Sequence, residues 1–112
     1  MKKICLLIIG LFFTPLVSAG VIFGGATVLT VRIDGSGFGI VTFSPPATGT
    51  PASCAVPTYA NSLAFDANTE GGRAFVAAMV AAKMGGLPVR AFGLGTCAKY
   101  GIVEDLDYAV LL

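Results

Sequence analysis

The chain has 112 residues, of which 55 % are hydrophobic and 12 % charged, against roughly 25 % charged in an average soluble protein. This length bounds it to one domain, and the high hydrophobicity excludes a disordered tail. Seven basic and six acidic residues leave a net charge of +1, with no His; this excludes a basic nucleic-acid binder, a Ser-His or Cys-His catalytic pair and an imidazole metal site.

Lys2 and Lys3 open the chain, Ile4 to Phe13 is an apolar run, and Val17-Ser18-Ala19 presents small residues where a signal peptidase reads. Residues 1–19 are therefore predicted to be a signal peptide cut between Ala19 and Gly20. Residues 20–112 form the mature domain, secreted or periplasmic. A membrane anchor is the competing reading, but a spanning helix needs about 20 apolar residues, and Pro15 interrupts the run too early. No membrane span is expected in the mature protein. Loss of Lys2 and Lys3 leaves five basic residues against six acidic ones, a net charge of −1. Cys5 leaves with the signal. Cys54 and Cys97 remain, and in an exported domain two cysteines are expected to pair. Closing that loop of about 43 residues stabilises by roughly 4 kcal/mol in the chain-entropy model. Two free thiols or a metal pair are the alternatives, although two ligands without a His make a poor metal site.

Val21 to Ile33 is rich in Val, Ile, Leu and Thr, and its alternation predicts a strand, with a bulge or a close backbone approach at Gly24-Gly25 near its start. Asp34-Gly35-Ser36-Gly37 has hairpin-turn chemistry, and Phe38 to Ser44 is the returning strand. Phe38, Ile40 and Thr42 are assigned to one face, Val41 and Phe43 to the other. The Pro-, Thr- and Ser-rich stretch to Pro57 is a loop, with a short extended piece expected around Cys54-Ala55-Val56. Tyr59 to Phe65 offers a short strand or an approach to the helix. Asn68 or Thr69 caps that helix, with Glu70 in its first turn. It runs to about Met84, where Gly85-Gly86 and Pro88 stop it. Phe75, Val76, Met79 and Val80 are its predicted core stripe. Val89 to Leu94 is a strand, and Gly95 to Ala98 a turn carrying the second cysteine. In the last strand Leu106, Tyr108, Val110 and Leu112 alternate with Asp105, Asp107 and Ala109. The result is an α+β domain with an antiparallel sheet or small β-barrel and one α-helix between the third and fourth strands.

Chemistry-bearing residues are few. Gly35-Ser36-Gly37-Phe38-Gly39 joins two strands, so it lacks the strand-to-helix context of a phosphate loop. Asp105 and Asp107, placed side by side, are two carboxylates without a nucleophile. They are too few for a calcium site and are read as a solvated face. Tyr59 and Tyr100, in loops near the two cysteines, are the candidate ligand contacts, weighed against packing over the bridge. No catalytic residue, cofactor site or metal site is assigned, and no enzymatic activity is expected. On the helix, Ala74, Ala77, Ala78, Ala81 and Ala82 make a face that another element can approach closely. With so few charges, this favours a homo-oligomer.

Gly86-Leu87-Pro88-Val89-Arg90-Ala91-Phe92, followed by Gly93-Leu94-Gly95-Thr96-Cys97, together with Ile22-Phe23-Gly24-Gly25-Ala26-Thr27-Val28, resembles the B subunits of subtilase cytotoxin and typhoid toxin. The resemblance implies an OB-like barrel assembled as a pentamer with its helices lining the centre, and binding of a sialylated surface glycan. The family's two polar glycan contacts fall on Gly24 and Gly93, so no residue of this chain inherits them. The expectation is an exported binding module of the toxin-B-subunit kind. The alternative is a small structural or interaction protein whose partner is itself or another exported chain.

Overall fold

The computed structural model describes residues 20–112; the predicted signal peptide, residues 1–19, and the Ala19 side of the predicted cut lie outside them. Seven strands and one helix follow in the order β1 (Val21–Ala26), β2 (Val28–Ile33), β3 (Phe38–Phe43), β4 (Thr48–Gly49), β5 (Ser62–Asp66), α1 (Glu70–Gly85), β6 (Val89–Gly93) and β7 (Leu106–Leu111). A short 3-10 turn, Pro57–Tyr59, precedes β5. The domain is α+β, with all the strand ladders antiparallel.

The long first strand is in fact two. Gly25, at φ 75°, begins a bulge, the register shifts between Gly24 and Ala26, and it shifts again between Val28 and Thr30. Thr27 at the corner is held by Ser44, whose Oγ accepts the Thr27 N–H at 2.9 Å and whose N–H donates to the Thr27 carbonyl at 2.9 Å. One β-branched stretch therefore serves two sheets. β1 joins the order β4-β1-β6-β7, and β2 joins β2-β3-β5. The extended piece of the Pro-rich loop is Thr48–Gly49 on the edge of β1, not the Cys54 region, where the backbone turns.

The inner faces of the sheets meet over Phe23, Val41, Phe43, Leu63, Phe65, Val89 and Ala91, closed on one side by Phe75 and Met79 of α1. Phe23 and Phe43 stack with ring centroids 4.6 Å apart. Each fully buried side chain of this size contributes about 1.5–3 kcal/mol. The sheets do not close into the expected barrel. Between β5 and the residue preceding β7 the pairing is one isolated parallel bridge, Ala64 to Asp105, and no ladder joins β5 to β7 among the described residues.

Thr69 is the helix cap, its Oγ1 accepting the Gly72 N–H at 2.9 Å, and Gly86 ends α1 in the left-handed conformation. The buried stripe is Gly72, Phe75, Met79 and Ala82, with Val76 half-buried beside it. Val80 is 44 % exposed. Successive helix positions are about 100° apart, so once Met79 points into the core its neighbour turns away. For the same reason Ala82, expected outside, is buried, while Ala74, Ala77 and Ala81 are exposed.

Candidate functional site

Cys54 and Cys97 form the expected disulfide, with Cα atoms 6.2 Å apart. It joins the loop after β4 to the loop after β6. Beside it lie the two carboxylates that close the last loop. Glu104 and Asp105 are each only 1 % exposed, which corrects the reading of Asp105 as part of a solvated face shared with Asp107. Asp107 alone is exposed. The cause is that β7 begins at Leu106, so the alternation of the strand does not extend back to Asp105, and the register slips between Phe92 and Gly93.

Glu104 accepts three backbone N–H groups, those of Val21 at 3.0 Å, Ala52 at 2.8 Å and Gly95 at 3.0 Å. It thereby ties the start of β1 to both disulfide-bearing loops. Gly93 is obligatory here because a Cβ would overlap the Glu104 carboxylate. Asp105 accepts the Thr96 hydroxyl at 2.7 Å and the N–H groups of Ala98 at 2.7 Å and Lys99 at 3.2 Å, with Lys99 Nζ 3.7 Å away. Burial pushes its pKa up, but these hydrogen bonds and the Lys99 ammonium outweigh it and hold the carboxyl below its ordinary value. Both acids are hydrogen-bonding hubs for loops. No group of three or more His, Cys, Asp or Glu side chains suited to a metal occurs among the described residues.

Tyr59 and Tyr100, far apart in sequence, meet on the outer face of β3 and β5, where they pack against Ile40, Ala64 and Val103. This covering loop also explains why Ile40 and Val41, on opposite faces of β3, are both buried. The Tyr100 hydroxyl donates to Asp34, which Arg32 grips at 2.8 Å and 3.1 Å. Burial and the Asp34 hydrogen bond push the Tyr100 pKa up to about 12, while Arg32 and Tyr100 lower that of Asp34. The polar groups of this cluster satisfy one another, and Tyr100 stands edge-on to Phe38.

The exposed face of β1, β6 and β7 is different. Cross-strand pairing lines up Ile22, Phe92 and Tyr108, and beside them Gly24, Arg90 and Val110. The rings of Phe92 and Tyr108 stack at 4.4 Å with 17° between planes, and Tyr108 is 51 % exposed. Nothing lies within 4 Å of where a Gly24 side chain would stand, so the backbone there is bare. Sequence alternation puts Leu106, Tyr108 and Val110 on one face and Ala109 on the other; in the structure Leu106 and Ala109 both pack on the core, while Tyr108 and Val110 are exposed. Phe92 and Tyr108 both stood in predicted strands, but only the pairing of β6 with β7 puts them in register.

A groove of about 510 Å³ is lined by residues of β5, α1 and β7, among them Phe65, Phe75, Ala78, Met79 and Leu106, and by Lys99. No helix among the described residues is long and apolar enough to cross a membrane. No family model, no curated protein and no solved structure matches this chain.

Proposed function

We propose that the mature chain is an exported, non-enzymatic binding module with an OB-like strand order, and that it takes a surface carbohydrate on the exposed face of β1, β6 and β7. The observation that carries this is the stacked, half-exposed Phe92–Tyr108 pair, with Arg90 two positions along the same face. An aromatic face presents an apolar platform with a polar rim, which suits the C–H face of a sugar ring. The Arg90 guanidinium beside it, outside the two ion pairs found among the described residues, suits a carboxylate or hydroxyl pair by bidentate hydrogen bonding. The bare backbone at Gly24 leaves room for the ring to sit close. The disulfide fits an oxidising, exported setting. The OB-like order is supported by β1 running directly into β2, by α1 between β5 and β6, and by the parallel approach of β5 to β7.

The test is a glycan array with the oxidised mature protein, followed by titration of the best ligand against Phe92→Ala, Tyr108→Ala and Arg90→Ala. Loss of about tenfold or more in affinity for the aromatic variants, roughly 1.4 kcal/mol, is expected. A stronger effect of Arg90→Ala on acidic than on neutral glycans would place the charge. Absence of any bound glycan overturns the reading.

A second reading, a self-associating envelope protein without a glycan, is favoured by one further observation. Ala74, Ala77 and Ala81 are exposed along α1, with Val80 and Met84 exposed on the same helix. Such a helix face admits close approach of a second copy in a homo-oligomer. Sedimentation of the mature protein decides it, and a monomer at high concentration ends it.

A further inference from the structure

Glu104 is a buried carboxylate held only by neutral donors. The only two ion pairs among the described residues join Arg32 to Asp34 and Lys99 to Asp105, so no Lys or Arg pairs with it. Three N–H groups compensate the loss of water but leave the charge itself unmatched in a low-dielectric site. The first described residue, Gly20, lies against this carboxylate. Its successor Val21 donates to Oε2 at 3.0 Å, and the position of a Gly20 Cβ is 3.3 Å from the same oxygen. Covalent geometry then puts the Gly20 nitrogen within about 6 Å of the carboxylate, the range in which opposite charges favour one another. A side chain at position 20 would also overlap the Gly93 carbonyl, so the residue predicted to follow the cut is one the fold itself requires to be glycine.

We infer that Glu104 is the receptor for the α-ammonium group of Gly20 released by signal-peptide cleavage, so that processing supplies the missing counter-charge and locks the start of β1 to the two disulfide loops. This rests on the export reading. Hydrolysis of the Ala19–Gly20 bond consumes one water. The C–N bond breaks, the Ala19 carbonyl carbon keeps the water oxygen as a carboxylate, and the Gly20 nitrogen leaves with the protons as an ammonium. Before cleavage the same nitrogen is a neutral amide, so the precursor lacks the ion pair.

The experiment exports the full-length precursor and a variant with Ala-Ser inserted after Ala19, which leaves two residues ahead of Gly20. Intact mass identifies each start. The chain beginning at Gly20 is expected to melt about 4 °C or more above the extended one, and Glu104→Gln is expected to shrink that gap to about 1 °C. Should Glu104→Gln fail to fold, acylation replaces it. The Gly20 amine of the folded native protein is expected to acylate about tenfold or more slowly than in urea, the effect of one unit of pKa. A native start other than Gly20 overturns the export reading and this inference with it. A Gly20 start with no melting gap, a gap that persists in Glu104→Gln, or equal acylation rates overturn the Glu104 pairing alone.

Discussion

The disulfide end of the molecule and the exposed face of β1, β6 and β7 present opposite uses of polar and aromatic side chains. Around Cys54 and Cys97, every notable group is engaged. Glu104 holds three backbone donors, Asp105 holds two and a hydroxyl, and Tyr100 is tied to Asp34. On the exposed face, Phe92 and Tyr108 stack on each other and expose the rest of their surface. Groups of the first kind, engaged in several hydrogen bonds, determine stability, because removing one strands its buried partners. Unsaturated surface of the second kind is where a ligand gains most and the fold loses least. Of the two acids that the sequence sets side by side, Asp105 belongs to the first class, while Asp107 is exposed.

The sharpest way to break this contrast is to cut the bridge. Cys54→Ser with Cys97→Ser is expected to lower stability by about 4 kcal/mol for a loop of this length, measured by urea unfolding. Glu104→Ala follows at roughly 3 kcal/mol, since three buried N–H groups lose their acceptor together. Asp105→Asn is expected to destabilise by about 1–2 kcal/mol at neutral pH, and its pH dependence is diagnostic. Because the folded pKa of Asp105 is lowered, its contribution is fully present above the unfolded value of about 3.9 and disappears as the pH falls through the lower folded value. Native and Asp105→Asn unfolding curves should converge in acid. Smallest is Tyr108→Ala, at about 1 kcal/mol or less from the lost stack, while the proposed carbohydrate binding is expected to weaken about tenfold or more. If Tyr108→Ala proved more disruptive to folding than Glu104→Ala, the division into a structural end and a binding face would fail.

The parts of the fold that were legible in the sequence are those governed by local chemistry. The hairpin turn at Asp34–Gly37, the Thr69 cap and the helix stop at Gly86 follow from residues within a few positions, and the cysteine pairing from the predicted loss of Cys5, which leaves Cys54 and Cys97 one partner each. What escaped was set by contacts distant along the chain. Val21–Ile33 has uninterrupted strand propensity, yet Ser44 captures Thr27 and turns it into two strands. Val80 and Ala82 have the periodicity of either helix face, and only the seating of Met79 decides between them. Tyr59 and Tyr100 stand out in the sequence by their place near the cysteines, but that they share a surface depends on the loop folding back over Ile40.

The sequence by itself pointed to an α+β unit with one capped helix and one bridge, because caps, turns and alternation act through near neighbours and, once Cys5 leaves with the predicted signal, two cysteines leave one pairing. Only the tertiary structure decided that the sheets stay open between β5 and β7, that Glu104 and Asp105 point inward, and that Phe92 meets Tyr108 in register. Those outcomes depend on which backbone groups a buried carboxylate can reach and on how two strands far apart in the chain align, and neither quantity is carried by any local stretch of residues.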